Sequence, residues 1–561
     1  MSTSFRIAPR VWPAKIVLVV AAAALVWIWG RSDIARTDQV INTLKVVAPA
    51  VAAIVLWVLI LSPWSMATRL ALVGAAALAA LGCVAIFEVA GLTGDLVPQV
   101  RVRPVWRRML GGGPARPLAA SPESASDGAA ALEPVDLTTT TPWDSPQFLG
   151  PQRRPEIFGV TLARNWQRQP PRELWRRVIN DGGDHGAGWS AFAIVGDFAV
   201  TLEQRRAKSW TAEKPVFEER VVCYEVLTGR ERWRHADPVE FLSVVAGDGP
   251  RSTPTIIDGR VYTVGATGLL NCLEGATGRV VWQRETLDGP GYNNVWGKSC
   301  SPLVLSDLVI VSGNGNLTRA DEAYDDALLA FDRQTGESRW HAGRDLAGYG
   351  SPVLAALDGV EQVVIVNRIS VAGYEPQSGE ILWDFPWGIG DATVANAIPF
   401  DNHRVFVSSG YGVGCVALDV RRDATGQWQV REAWPANKNL KLKFSNGVVY
   451  RGHVIGLDDG VLACVNLETG ARAWKRGRYG HGQILLVGDL LLVLTEGGEL
   501  VLVDAQPVGP TELGRITVFD DKTWNCLALS RDRLLLRNDR EAVCLQLPLA
   551  SDGGETPSIS P

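Results

Sequence analysis

Five hexapeptides decide the fold of this chain: TGRERW (228–233), TGRVVW (277–282), TGESRW (335–340), SGEILW (378–383) and TGARAW (469–474). Each joins a Thr-Gly or Ser-Gly turn to a strand that ends at a tryptophan. Copies that recur every 40 to 60 residues or so indicate a repeat architecture rather than several unrelated domains.

Two further tryptophans extend the series. A stretched copy, ATGQWQVREAW, ends at Trp434, and an isolated ELW stretch ends at Trp175. Burial of an indole removes about 150–250 Å² from water, and recurrence at one phase is what packing between repeats predicts. We therefore predict a structural role, rather than cofactor stacking, for the blade tryptophans Trp175, Trp233, Trp282, Trp340, Trp383, Trp434 and Trp474.

Each repeat reads as four short strands separated by turn residues, a pattern typical of a β-propeller blade. Six repeats end at tryptophans, a seventh covers 483–516, and an eighth at 524–548 supplies only three strands. The strand at 173–177 supplies the fourth and closes the ring, which protects exposed strand edges. The predicted fold is all-β: an eight-bladed β-propeller of four-stranded antiparallel blades over 148–548.

The N-terminal part is predicted to be a transmembrane anchor (1–95) with three helices at about 11–30, 46–64 and 70–89. A span needs about 20 apolar residues; the first run is marginal, and a cleaved signal peptide is the alternative for it. Residues 96–147 are predicted to be a juxtamembrane segment and a disordered Pro/Ala/Ser-rich linker, and 549–561 a disordered tail.

The distribution of cations bears on orientation. Four cations flank one side of the predicted spans and seven flank the other, namely Arg31, Arg36, Lys45, Arg101, Arg103, Arg107 and Arg108. By the positive-inside rule, these counts place the C-terminal body in the cytoplasm.

Composition excludes some functions. The 561 residues carry 55 Lys+Arg against 60 Asp+Glu, a net charge of −5, which argues against a nucleic-acid partner. The eight cysteines form no C-x-x-C motif and no adjacent pair, and the six histidines have no metal-ligand spacing. We predict no metal site.

The body resembles the pyrroloquinoline-quinone-like (PQQ-like) repeat β-propeller family. The resemblance lies in the TG-x-x-x-W turns and in the strands before them, VVCYEVLTG (221–229), LLNCLEGATG (269–278) and LACVNLETG (462–470). Two stretches, 252–273 and 479–493, look like membrane-anchored propellers of planctomycete-type bacteria. The family includes quinoprotein dehydrogenases and the non-catalytic, BamB-like propellers of outer-membrane assembly. The resemblance implies a periplasmic or otherwise extracytoplasmic propeller. We expect this location, although the distribution of cations favours the cytoplasm.

Family dehydrogenases need the quinone, Ca²⁺ and an Asp general base, and the alcohol dehydrogenase branch adds an adjacent Cys pair that this chain lacks. The body also lacks the long insertions that build a catalytic site. We expect a non-catalytic scaffold without a cofactor, which binds a protein or peptide in the cell envelope. The alternative is a membrane-bound quinoprotein dehydrogenase, with pyrroloquinoline quinone and Ca²⁺, that passes electrons to membrane quinone.

Any site is expected at the mouth of the central channel, which the segments leading into the innermost strands would line. The candidate binding residues are Trp189, Arg251, Lys298, Tyr349, Asn396, Lys443, His481, Gln483, Trp524 and Asn525. One interpretation is that their polar groups satisfy one another and bound water. The other is a mouth that binds an anion or a peptide through its cations and aromatic surfaces.

Overall fold

The chain divides into two compact units, residues 1–117 and 118–561. Part of the predicted linker (104–133) and most of the predicted tail (551–561) lie outside the described residues. The structure, a computed structural model, describes residues 12–31, 36–103, 134–180, 186–206, 217–316, 326–390 and 392–550.

The N-terminal unit contains three helices, α1 (Trp12–Gly30), α2 (Arg36–Ile60) and α3 (Met66–Ile86). All three are long and apolar enough to cross a membrane. A hairpin of Phe87–Leu92 and Pro98–Val102 follows α3.

Helix α2 begins at Arg36, well before the apolar run near 46 from which the span was predicted. Its polar first turns are helical because they bond to α1 and the chain just after it. Gln39 Nε2 donates to the Arg31 carbonyl at 2.8 Å, and Trp29 Nε1 donates to Thr43 Oγ1 at 3.0 Å. Hydropathy reports the apolar length of a helix, not its full length.

The second unit contains eight antiparallel sheets, which we call blades I to VIII in the order of their innermost strands. Blades I to IV comprise Ala193–Val195, Phe198–Arg206, Phe217–Glu225 and Glu231–Asp237; Thr255–Ile257, Arg260–Val264, Leu269–Glu274 and Val280–Glu285; Leu303–Val304, Leu308–Ser312, Leu328–Asp332 and Ser338–Ala342; Val353–Leu357, Val360–Val366, Ser370–Tyr374 and Ile381–Pro386.

Blades V to VIII complete the ring. They comprise Ile398–Pro399, Arg404–Ser409, Gly414–Arg422 and Trp428–Glu432; Val448–Tyr450, His453–Asp458, Val461–Asn466 and Arg472–Arg478; Gln483–Val487, Leu490–Leu494, Glu499–Gln506 and Gly509–Thr517; Ala528–Ser530, Arg533–Arg537, Glu541–Gln546 and Arg172–Val178. The predicted eight-bladed propeller is confirmed.

The ring closes in blade VIII, where Arg172–Val178 pairs antiparallel with Glu541–Gln546. Arg537 reinforces this seam from a fully buried position. Its guanidinium donates to Thr201 Oγ1 at 2.6 Å and to the Leu202 carbonyl at 2.7 Å, both in blade I. One side chain thus ties the last blade to the first.

At six of the eight junctions, a blade contacts the next through a tryptophan and a turn. Six indole Nε1 groups, all but that of Trp383, donate at 2.7–3.1 Å to carbonyls of the following blade, at Val226, Gly275, Arg333, Pro376, Leu467 and Gln506. The indole ring also lies on the turn glycine of the following blade. In the five regular turns that glycine has φ between 67° and 73°, and a β-carbon there would approach the preceding tryptophan to within 2.7 Å. Only glycine satisfies both conditions.

Trp383 is the exception, because the turn of blade V has the stretched sequence. Its Nε1 donates to Gln362 Oε1 of its own blade at 2.6 Å. Trp434 lies two residues beyond the outer strand of blade V, yet it still reaches the Leu467 carbonyl of blade VI.

Residues 141–163, which we call the strap, bond to the innermost strands of several blades and end beside Leu549, beyond the third strand of blade VIII. Ser145 pairs with Ile194 of blade I, and its Oγ donates to the Leu529 carbonyl of blade VIII at 2.7 Å. Further along, Glu156–Ile157 pairs in parallel with Leu486–Val487 of blade VII.

The strap also inserts a buried cation. Arg153 donates to the carbonyls of Ser301 and Pro302 in blade III at 2.9 and 2.8 Å. Just before the strap, Leu137 lies buried between blades I and II. The packed body therefore begins earlier than the predicted boundary at 148, because these residues bury apolar and polar groups that carry no repeat signal.

We predict that Trp233→Ala lowers the unfolding free energy by about 3–5 kcal/mol, the usual cost of a tryptophan-sized cavity. The ring is buried and its Nε1 donates to the Gly275 carbonyl at 2.8 Å. Denaturant unfolding followed by circular dichroism measures the change, with the exposed Val508→Ala as control. A loss below about 1 kcal/mol would contradict the role given to the indole.

Candidate functional site

Because strands alternate in direction, the segments that lead into the innermost strands all lie at one end of the propeller, which we call the mouth. The Thr-Gly turns lie at the other end. The mouth segments are 188–192, 250–254, 296–302, 348–352, 394–399, 441–447, 478–483 and 522–526.

One polar residue from each mouth segment takes part in a ring of bonds between blades, which we call the polar ring. In half of the ring, a backbone N–H donates to the side-chain oxygen of the next blade at 2.8–2.9 Å. These bonds run in order through Thr253, Ser301, Ser351, Asn396 and Asn446.

Amide side chains complete the other half of the polar ring. Gln483 Nε2 donates to the carbonyls of Phe444 and Trp524 at 3.0 and 2.9 Å, and Asn525 Nδ2 donates to the Ser190 carbonyl at 2.7 Å. The Ser190 N–H then donates to the Pro250 carbonyl at 3.2 Å. Of the predicted site residues, Asn396, Gln483 and Asn525 thus hold blades together.

Two of these amides can still form a further hydrogen bond. Asn396 Nδ2 and Asn525 Oδ1 are buried without a hydrogen-bond partner among the described residues. Buried polar atoms of this kind are normally satisfied by water or ligand.

The predicted cations lie at the mouth beside aromatic rings or carbonyls. Lys298, only 2% exposed, donates to the Gly313 carbonyl at 2.7 Å, and burial lowers its pKa to about 8. Arg251 donates to the carbonyls of Gly249 and Gly247 at 2.8 and 2.6 Å. Among the described residues, no carboxylate lies within 4.0 Å of either cation, so their positive charge is not neutralised by an ion pair.

Six aromatic rings form an arc along the mouth, which we call the aromatic arc: Tyr349, Trp296, Tyr411, Phe444, Trp524 and Trp189. Neighbouring rings in it have centroids 4.9–6.1 Å apart, except between Tyr411 and Phe444. There Lys443 bridges the gap, with Nζ at 4.7 Å from one ring centroid and 5.9 Å from the other. The arc offers flat apolar surface with cations beside it.

His481 lies beside the arc. Its ring centroid is 5.1 Å from that of Phe444, and its backbone N–H donates to Glu496 Oε2 at 3.1 Å. The other oxygen of Glu496 accepts from Trp524 Nε1 at 2.9 Å. The structure therefore brings all ten predicted residues to the mouth, but assigns several of them to holding it in shape.

Sequence reasoning missed Lys522, whose Nζ lies 4.2 Å from the Trp524 ring centroid and 5.1 Å from that of Trp189. It also missed Trp296, Phe444 and Tyr411. The first three residues stand in the mouth segments, where a count of every cation and ring would have found them. Tyr411 stands in GYGVG (410–414), a loop between strands whose position at the mouth depends on the fold.

The donor set of the mouth does not fit a calcium-dependent quinone. Ca²⁺ takes six to eight oxygen ligands, carboxylates prominent among them. Here ammonium, guanidinium and N–H groups predominate, and Glu496 is bonded to Trp524 and His481. Across the part of the chain that the structure describes, no group of three or more His, Cys, Asp or Glu could hold a metal ion.

Comparison with known proteins places this fold. A family model described as outer membrane protein assembly factor BamB matches residues 218–476. Comparison with curated protein sequences gave no match.

Several solved structures are similar. BamB from Moraxella catarrhalis is 16% identical, with 67% of this chain and 100% of that chain covered and a TM-score of 0.46. Quinohemoprotein alcohol dehydrogenase from Comamonas testosteroni is 11% identical, covering 76% and 83%, with a TM-score of 0.48. The quinohemoprotein alcohol dehydrogenase ADHIIG from Pseudomonas putida HK5 is 12% identical, covering 78% and 84%, with a TM-score of 0.51.

At such identities the likeness bears on fold alone. The Thr-Gly-x-x-x-Trp repeats, the closed ring of eight blades and the family model that matches residues 218–476 support a PQQ-like repeat β-propeller as the fold of the body.

Proposed function

We propose that this chain is a membrane-anchored, non-catalytic propeller that binds a protein or peptide at the channel mouth and acts as a scaffold in the cell envelope. The observation that carries the proposal is the aromatic arc with its cations, held in place by the polar ring. Aromatic and Arg side chains in a preformed, largely desolvated surface are typical of protein-binding sites.

Two further features support binding rather than catalysis. Two carboxylates close to mouth residues, Glu219 and Glu496, accept N–H groups of the protein. The matching family model describes an assembly factor, and assembly factors act by contact with other proteins.

The proposal is tested on the full chain purified from its own membrane. We expect a partner that co-purifies with the wild type and is lost from the Arg251→Ala/Lys298→Ala variant. The matched control, Arg230→Ala/Arg279→Ala, removes two exposed cations that follow Thr-Gly turns at the end opposite the mouth and should retain it. Circular dichroism verifies that both variants fold.

In the same preparation, addition of pyrroloquinoline quinone and Ca²⁺ should give no bound quinone absorbance and no dye reduction. Stoichiometric uptake of the quinone with dye reduction would contradict the scaffold function and support a dehydrogenase instead. Unchanged recovery of the partner by the mouth variant would remove the mouth from the proposal.

We also propose that the propeller is extracytoplasmic, although the cation count favours the other side. Alkaline phosphatase fused after Pro561 should then be active, since this enzyme folds only outside the cytoplasm. A fluorescent green fluorescent protein fusion with inactive phosphatase would show instead that the charges decide the orientation.

A pH dependence follows from Glu219, which faces Arg251 and Asp237. Burial, followed by the charge of Asp237, raises the pKa of Glu219 to about 7 from an ordinary value of 4.5. Between these pH values the folded state keeps a proton that the unfolded state loses, so the unfolding free energy falls as pH rises, by up to about 3 kcal/mol.

Glu219→Gln should abolish this part of the pH dependence and make the protein more stable than the wild type above pH 7 or so. Denaturant unfolding at a series of pH values measures it, with the exposed Glu337→Gln as control. An unchanged slope in Glu219→Gln would contradict the assignment.

A further inference from the structure

We propose that the mouth selects an acidic, apolar peptide segment. The carboxylate of a protruding loop or chain end enters the mouth and meets Lys443 and Lys522, while its apolar neighbours cover the surrounding loops. This inference rests on the proposed function and adds the chemical class of the partner.

The first observation is a set of exposed apolar side chains in the loops of blades I to V at the mouth end, which we call the rim. Val244 is 84% exposed and Val295 is 78% exposed, and each lies in a loop that leads from an outer strand to the next innermost strand. Leu242, Ile369 and Ile389 are also exposed in loops at this end of the propeller. Several exposed large apolar side chains at one end of the propeller are typical of a contact site.

The second observation is the recessed charge inside that rim. Lys443 is 3% exposed and Lys522 is 6% exposed, and each ammonium lies against two aromatic rings of the arc. Charges in a low-dielectric recess attract an opposite charge more strongly than charges in water do. Lys298 and Arg251 add two positive charges at the same end.

The shape of this surface decides between two anionic partners. A lipid surface is flat and would meet the exposed rim but not ammonium groups that are almost wholly buried. A peptide that protrudes into the mouth reaches the ammonium groups and the rim at once. The recessed position of the ammonium groups therefore favours an acidic peptide over a membrane of anionic lipid.

The opposite end of the channel limits how far such a peptide can pass. There the strap pairs with Leu486–Val487, the end of an innermost strand, and from the strap Arg153 reaches the carbonyls of Ser301 and Pro302 in a mouth segment. The bound segment is therefore expected to end in the channel rather than thread through it, which suits a loop tip or a chain terminus.

The test uses the full chain in nanodiscs of neutral lipid and, as probe, a phage-displayed library of random twelve-residue peptides. Selections run in parallel on the wild type, on Lys443→Met/Lys522→Met and on the exposed control Lys438→Met. Methionine keeps the unbranched stem that packs on the rings and removes the ammonium group with its charge and its N–H donors. Circular dichroism and a melting temperature verify folding, and Val244→Ser/Val295→Ser provides a second variant outside the packed mouth.

We expect the wild type and Lys438→Met to enrich peptides with Asp or Glu beside apolar residues. Synthetic copies should bind the wild type at least tenfold more tightly than the Lys443→Met/Lys522→Met variant, and severalfold more tightly than the rim variant. Replacement of Asp by Asn in the peptide should cost a similar factor of about ten, the usual range for a charge-assisted contact.

Enrichment of neutral or basic peptides would overturn the acidic selection but leave the scaffold function standing. Binding of the chain's mouth to anionic vesicles, lost in Lys443→Met/Lys522→Met without any enriched peptide, would assign the cations to lipid and overturn the inference. Loss of the co-purifying partner in the Arg251→Ala/Lys298→Ala variant separately decides the function itself.

Discussion

The structure depends on one contact that recurs at five of the eight blade junctions: the indole of one blade lies on the turn glycine of the next. The ring shields the turn from water and the indole N–H satisfies a turn carbonyl, so a single residue provides both apolar burial and a directional bond. Because a blade cannot bury both of its faces alone, this contact makes the eight sheets one folding unit. Because Arg172–Val178 supplies the fourth strand of blade VIII, the ring closes and every blade has a neighbour on both sides.

Closure of the ring brings the eight mouth segments together into one surface. The polar ring fixes the mouth segments at their inner ends. It thereby sets the distances between cations and aromatic side chains that come from different blades. The conformational entropy of these side chains is lost during folding rather than during binding. This pre-organisation favours affinity. The strap adds a further constraint, because it bonds to blades that are far apart in the chain.

The repeats made the blade count and the composite eighth blade predictable, since each copy of Thr-Gly-x-x-x-Trp carries its own turn and packing residue. The strap was not predictable in this way, because Ser145, Arg153 and Glu156 each bond to a different blade and share no period. The sequence predicted the location of the candidate site more accurately than the role of each residue in it. Asn396, Gln483 and Asn525 face the channel as their positions imply, yet their amides link blades, and the pairing of Lys522 with Trp189 joins residues more than three hundred positions apart.

Closure of the ring by the N-terminal strand is the claim on which fold and mouth both rest. It is tested most directly by a disulfide between Arg172→Cys and Gln546→Cys, whose native side chains are bonded at 2.8 Å across the seam. The account predicts that mild oxidation closes this bond within one molecule, shifts the band on a non-reducing gel and raises the melting temperature, while Arg172→Cys alone does neither. Failure to form the bond, or its formation only between two molecules, would contradict the account.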